Sequence, residues 1–225
     1  MSNVIYKDVT CPKCGRDMGA HLYISINATN DPQFREDLLS GRLLSFTCEK
    51  CGYEARYTYP LLYNDMKRRF MVYLIPEIDR FQLEDRSLEN DYHNLKGIRK
   101  RLTVDFNSLK EKIFIFESGL DDMAVELTKY AISEMVAKKH DLGRVSQGYL
   151  TIYNRETNTI GFTFFIGENA EPFVQSARLE IYRKSMKIVN AICGNDKRLS
   201  GFIKIDQEWT ENTLFRYKRV KNNRS

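Results

Sequence analysis

Apolar and polar residues alternate over 22–27, the signature of a strand with one buried face. Asp31 and Pro32 then read as a helix start, with Asp31 as N-cap and Pro32 at the first helical position. Phe34, Leu38 and Leu39 share one face of that helix, and Gly41 stops it. A returning strand is predicted over 43–47. Residues 54–59 alternate again, Asn64 and Asp65 suggest a turn, and 70–75 form a strongly apolar strand ended by Pro76. The expected product is a β-hairpin added to the first sheet.

The pattern changes beyond Pro76. Residues 79–101 are charged, and Phe81, Leu88, Tyr92, Leu95 and Ile98 recur at near-helical spacing, which predicts a helical linker. Asn107 and Ser108 can cap a helix carrying Leu109, Ile113 and Phe116 and ended by Gly119. A second helix opens at Asp121 and Asp122, whose carboxylates suit free N–H groups and the helix dipole; Met123, Leu127, Tyr130, Ala131 and Met135 are its expected buried stripe. Residues 148–153 and 159–166 alternate as a second hairpin about a turn at 155–158. Pro172 is read as opening a helix through Ile192, with Val174, Ala177, Ile181, Met186 and Val189 apolar and Cys193-Gly194 closing it. A last short strand is predicted over 202–205, beside that hairpin.

Four of the five cysteines fall in two knuckles, Cys11-Pro12-Lys13-Cys14-Gly15 and Cys48-Glu49-Lys50-Cys51-Gly52. A CxxC turn supplies two thiolates from one tight loop, and two such turns complete the tetrahedral S₄ shell of a structural zinc ion. Gly15 and Gly52 let each chain fold back with positive φ, the expected role being to aim N–H groups at the sulfurs. Cys11, Cys14, Cys48 and Cys51 are thus the predicted ligands of one structural Zn²⁺. Iron in an S₄ site uses the same spacing and stays open. A disulfide framework suits a secreted chain, but residues 1–10 carry charge and no apolar core of a signal peptide. A thiol redox pair needs only one CxxC.

Thirty-three residues separate Cys14 from Cys48, more than the ~15–20 of a compact two-knuckle site. The predicted strand, helix and returning strand occupy this insert. The expected fold class is α+β: an extended four-cysteine zinc ribbon with an added β-hairpin over 1–78, then a helical and hairpin segment over 79–215, then a basic, unstructured tail over 216–225.

Cys11 through Cys14-Gly15, Ser25-Ile26-Asn27, Asp31-Pro32, Phe46-Thr47-Cys48 with Cys51-Gly52, Tyr59-Pro60-Leu61-Leu62-Tyr63-Asn64-Asp65 and Ile75-Pro76-Glu77 together resemble the bacterial CpXC domain. The resemblance runs over roughly 4–140 and includes Glu111-Lys112-Ile113 and Gly119-Leu120-Asp121-Asp122. Glu49 stands where the second knuckle of the family has proline, a change that touches no ligand. The resemblance implies a cysteine-held metal and implies no activity.

Charge narrows the choice of partners. The chain has 35 basic and 30 acidic residues. Arg216, Lys218, Arg219, Lys221 and Arg224 lie in a last segment without acids, so the rest of the chain is neutral. Those four cations from 216 to 221 are candidate phosphate contacts. Tyr57, Tyr59, Tyr63, Arg68 and Arg69 form a candidate interaction surface of rings and cations. No run approaches ~18 consecutive apolar residues, so no membrane partner is expected, and reduced cysteines point to the cytoplasm.

His21, His93 and His140 are far apart, His21 being placed to act as an outer donor to the metal site. No Gly-rich phosphate loop, GxSxG or HExxH occurs. Cys193 reads as a buried small hydrophobe. An enzyme would need carboxylates such as Asp105 and Glu117, or the histidines, to converge between the halves. The sequence therefore favours a non-enzymatic zinc-binding protein with a protein partner; nucleic-acid binding through the basic end is the alternative, and an exposed hairpin edge makes a homodimer reasonable.

Overall fold

The computed structural model describes residues 1–77, 97–141, 145, 147–166, 171–193 and 201–222. The expected helical linker falls outside them up to residue 96. The fold is α+β and divides into two compact units, Met1–Lys110 and Glu111–Ser225. The expected break at 78/79 is displaced because residues beyond it return to the first sheet as a strand.

In the first unit, β1 (Asn3–Thr10), β2 (Asp17–Asn27), β5 (Leu61–Asp65), β6 (Phe70–Leu74) and β7 (Arg99–Thr103) lie side by side in that order. β1–β2 and β5–β6 are antiparallel, whereas β2–β5 and β6–β7 are parallel. Helix α1 (Gln33–Leu39), a 3₁₀ turn (Arg42–Leu44) and a separate two-stranded ribbon of β3 (Ser45–Thr47) and β4 (Glu54–Arg56) connect β2 to β5. Leu38 of α1 and Ile26, Leu61, Tyr63, Phe70, Val72, Leu74 and Ile75 are fully buried. Burying such side chains supplies roughly 1.5–3 kcal/mol each, which fixes the sheet that carries the insert.

Several expectations are corrected here. Asn64 and Asp65 are not a turn. They end β5, and the buried Asp65 carboxylate accepts from Arg68 N at 2.9 Å and Arg68 Nη1 at 2.6 Å, so it shapes the turn that follows. The added hairpin is therefore β5–β6, while 54–56 pair with β3. Asp31 does not cap α1; its carboxylate accepts from Ser2 N at 2.6 Å, the Ser2 hydroxyl and then that N–H lower its pKa, and Pro32 occupies the N-cap. Gly41 does stop the helix, at φ +83°.

Helix α2 (Phe106–Glu117) begins at the end of the first unit. Asp105, not Asn107, caps it by accepting from Ser108 N at 2.8 Å. The second unit holds α3 (Asp122–Lys139), a sheet ordered β10-β9-β8 from β8 (Gln147–Asn154), β9 (Thr159–Ile166) and β10 (Glu171–Arg178), helix α4 (Glu180–Cys193), the short β11 (Ile203–Lys204) outside that sheet, and α5 (Gln207–Asn222). The helix expected from Pro172 starts only at Glu180. Residues 171–178 are an edge strand paired with β9, a place that tolerates a proline without an N–H. Residues 216–222, expected to be unstructured, are the last turns of α5.

Asp121 caps α3 by accepting from Ala124 N at 2.9 Å. The stripe predicted for α3 holds at Leu127, which is buried, and at Met123, which packs half-buried against the core; Ala124, Val125, Thr128, Ile132 and Val136 are also buried, while Ala131 is exposed and Met135 is 54% exposed. Acids share the buried face. Asp122 pairs with Lys112 at 3.2 Å; Glu126 pairs with Lys129 at 3.0 Å and lies 3.9 Å from Lys112; Lys129 reaches Glu111 at 3.1 Å. Glu111 also accepts from Leu150 N of β8 at 2.6 Å. Burial holds the Glu126 carboxyl above its ordinary range against the pull of Lys129 and Lys112. Burial opposes a charge on Lys129, but Glu111 and Glu126 outweigh it and raise that ammonium. Ala124 and Leu127 pack with Val189 and Cys193 of α4, beside Tyr182, Met186 and Trp209. Cys193 is thus buried as expected.

Candidate metal centre

The first knuckle joins β1 to β2, and the second joins β3 to β4. Each is closed by the same two main-chain bonds. Cys11 N donates to Arg16 O at 2.9 Å and Gly15 N to Cys11 O at 2.9 Å; Cys48 N donates to Tyr53 O at 2.8 Å and Gly52 N to Cys48 O at 2.8 Å. Gly15 and Gly52 have φ of +67° and +65°. The N–H of each glycine thus goes to a carbonyl, not to a sulfur. The donors aimed at thiols are Lys50 and Cys51 N–H for Cys48, and Tyr53 N–H for Cys51. The glycines serve the site through backbone conformation.

The four Sγ atoms all lie within 4.8 Å of one another. Cys11 and Cys51 are 3.7 Å apart, and Cys14 and Cys48 are 3.6 Å apart, each contact pairing one knuckle with the other. A disulfide requires about 2.05 Å, so none of these thiols is oxidised. A tetrahedron of thiolates about 2.3 Å from a central ion has edges of about 3.8 Å, and the two close contacts match it. Cys11 and Cys48 are buried, with Cys14 and Cys51 half-buried. The donor set can hold one metal ion, with four sulfurs filling a tetrahedral shell.

The thiols differ in acidity. Burial opposes ionisation of Cys48, but the Cys51 and Lys50 N–H groups and the neighbouring thiols outweigh it and bring Cys48 to about 6. The Tyr53 N–H favours ionisation of Cys51, yet burial and the sulfurs of Cys48, Cys14 and Cys11 win and push it to about 12. One thiol is ready to bind a cation at neutral pH, and another must give up a proton first.

A cleft of about 320 Å³ lies beside the knuckles, bounded on one side by β2 from Met18 to Tyr23 and on the other by Leu43 to Thr47. The edge groups facing it follow from pairing parity. Cys11 N to Arg16 O continues the β1–β2 register, so Ile5, Lys7 and Val9 bond to Leu22, Ala20 and Met18, and the main-chain groups of Gly19 and His21 turn to the other edge. Cys48 N to Tyr53 O and Tyr57 N to Leu44 O likewise leave Ser45 and Thr47 turned away from β4. β5 covers β2 only at Ser25, Ile26 and Asn27. Ser45 N–H donates to Arg42 O. Among the described residues, no protein partner is found for the outward main-chain groups of Gly19, His21 and Thr47.

The candidate interaction residues separate. Tyr59 is half-buried and bridges the two sides of the cleft, its hydroxyl accepting from Tyr23 N at 3.0 Å and donating to Leu43 O at 3.4 Å. Burial raises its pKa. Tyr57 also lines the cleft and donates to Thr10 O at 3.4 Å. Tyr63 is fully buried against Phe70, so it is core and not surface. Arg68 is engaged with Asp65, and Arg69, at φ +58°, belongs to the β5–β6 turn. His21 lines the cleft edge-on to Tyr6. His140 packs on Phe173, and His93 lies outside the described residues. Arg216, Lys218, Arg219 and Lys221 are on α5. Sequence reasoning missed the cleft; its only sequence signal was the long insert between the knuckles.

A family model described as CpXC protein matches residues 9–129, just over half of the chain. No curated protein and no solved structure matches the chain. No helix among the described residues is long and apolar enough to cross a membrane.

Proposed function

Because the chain belongs to the CpXC protein family and its four thiols converge in a closed shell, we propose that it is a non-enzymatic protein in which one structural Zn²⁺ holds a ribbon that binds a protein partner. Four sulfurs leave no coordination position for a substrate or an activated water, and closed sulfur shells are the mark of structural zinc. The metal contributes on the order of 10 kcal/mol to folding of such a ribbon. The partner is read from the cleft. The outward N–H and C=O groups of Gly19, His21 and Thr47 repeat along two strand edges, and a backbone in extended conformation offers the complementary spacing. The partner segment is therefore an extended peptide that adds as a strand, with Met18, Leu22 and Tyr57 receiving its side chains. Those open edges beside the metal are the observation that supports the reading.

Elemental analysis of untagged protein should give one zinc per chain, and Cys14→Ser should lose it. Limited proteolysis of that variant should degrade the first unit, Met1–Lys110, and spare the second; equal resistance of the first unit in variant and wild type refutes a structural metal. For the cleft, peptides selected from a random displayed library should protect the Gly19, His21 and Thr47 amides from hydrogen exchange. Thr47→Pro removes one outward donor and leaves every β3–β4 bond in place, so it should weaken peptide binding without loss of zinc. Unchanged affinity in Thr47→Pro refutes strand addition at β3.

A further inference from the structure

The last turns of α5 carry Arg216, Lys218, Arg219 and Lys221, and no acid occurs from 212 to 222. Thr210 and Thr213 are buried and Trp209 packs inward, so one side of the helix is committed to the second unit. The opposite side is open. Phe215 is 63% exposed there, and Lys218 and Arg219, three and four residues further on, share its face. The Arg219 guanidinium lies 5.8 Å from the centre of the Phe215 ring. Cations near a helix C-terminus are favoured by the dipole alone. The dipole does not call for a large ring exposed beside them.

We propose that this face of α5 binds single-stranded nucleic acid, with Phe215 stacking on a base while Lys218 and Arg219 neutralise phosphates. The charge is complementary to a phosphate backbone. A ring one turn before the cations, with Glu211 on its other side, suits an unpaired base, whose π face is free, whereas the bases of a duplex are already stacked. The interaction is independent of the metal and of the cleft, which are in the other unit.

Fluorescence anisotropy of a labelled 15-nucleotide oligothymidylate with the full chain, repeated across a salt series, tests it. Two neutralised phosphates give a slope of log affinity against log salt of about −1.4 on a single strand. Phe215→Ala should weaken binding about tenfold and keep the slope, because stacking is worth ~1–3 kcal/mol per base and involves no counterion. The double variant Lys218→Glu with Arg219→Glu should weaken binding and flatten the slope. Phe215→Ala should melt near the wild-type temperature because the ring is exposed, the charge-reversed variant slightly lower because the helix dipole disfavours acids at its C-terminus, and Thr47→Pro should bind the oligonucleotide as wild type does. Absence of salt-dependent binding, wild-type affinity in Phe215→Ala, or equal affinity for a duplex of the same length or for phosphatidylglycerol vesicles overturns the proposal.

Discussion

Replacing Lys112 by Met tests whether the buried charges of the second unit hold α2 to α3. The Lys112 ammonium is 3% exposed and faces two carboxylates, Asp122 at 3.2 Å and Glu126 at 3.9 Å. In the wild type three buried acids, Glu111, Asp122 and Glu126, face two lysines, Lys112 and Lys129. Met fills much of the same volume, so the lost term is electrostatic, and one cation is left among three carboxylates. Removing one member of a buried ion pair costs about 3–5 kcal/mol. Urea unfolding can be followed through Trp209, the one tryptophan in the chain, which packs against the core cluster of this unit. Lys112→Met should lower the stability read there by about 3 kcal/mol or more.

Acid should partly restore that variant. Burial already holds the Glu126 carboxyl high, and removal of Lys112 raises it further. A group whose pKa is higher folded than unfolded binds more protons in the folded state, so its contribution is favourable at low pH and is lost as pH rises through the folded value. The deficit of Lys112→Met should therefore narrow from pH 7 toward pH 5. Adding Glu126→Gln returns the cluster to its wild-type net charge and should recover about 1–3 kcal/mol as coupling energy. A deficit under 1 kcal/mol, or a double variant no better than the sum of its singles, refutes the charge-balance account.

Three further outcomes are expected. Gly52→Ala should cost roughly 1–2 kcal/mol while keeping the metal, because a Cβ there meets nothing within 4 Å and only the left-handed backbone at φ +65° resists it; loss of zinc by elemental analysis would assign the glycine another role. Zinc binding at pH 7 should release protons and tighten as pH rises, because Cys51 near 12 must be deprotonated while Cys48 near 6 already is; calorimetry in buffers of different ionisation enthalpy reads this, and zero release contradicts it. Asp206→Ala should cost ~1 kcal/mol, because Asp206 accepts from Trp209 N at 3.0 Å as the cap of α5. Burial opposes ionisation of Asp206, but Lys204 and that N–H lower its pKa, so its contribution is present above the ordinary carboxylate value and lost as pH falls through the lowered one; a variant deficit that persists in strong acid would exclude the cap.

The metal site was legible because its grammar is local: each knuckle places two thiols and a glycine within five residues, whatever the rest of the chain does. The partners of strands were not, since pairing is a long-range fact. β1 escaped notice because six of its first seven positions, up to Val9, are exposed on both faces, so no apolar period marks it. Val174, Ala177 and Ile181 fall at helical spacing by coincidence, and Pro172 was read as a helix start when it only avoids a main-chain donor at a sheet edge. On α3 the expected stripe held at Met123 and Leu127 and missed the rest because the buried face also holds Asp122 and Glu126, whose charges are met by Lys112 and Lys129; polarity marks exposure only where no partner is buried with it. Tyr63 and Tyr59 look alike in sequence and differ in their elements: Tyr63 lies in β5 with its ring buried against Phe70, whereas Tyr59 precedes that strand and spends its hydroxyl on Tyr23 N and Leu43 O.

The long insert ties the metal to the cleft. A short connection between the knuckles would let the returning strand lie directly on β2 and satisfy its edge. Here the chain leaves β2, makes α1 and the 3₁₀ turn, and returns as β3, which pairs with β4 instead. The two hairpins then meet through thiols at one end, Cys11 with Cys51 and Cys14 with Cys48, and through the Tyr59 hydroxyl at the other. Main-chain bonding does not knit β2 to β3 between those points, so the edges of Gly19, His21 and Thr47 stay open over the length of the cleft. On the proposed function, an ion among the sulfurs would fix the separation of the two edges, and that separation would decide whether a third strand fits between them. Metal and partner binding would then be coupled through this geometry, and by linkage an occupied cleft would tighten metal binding by the same factor as the ion tightens partner binding.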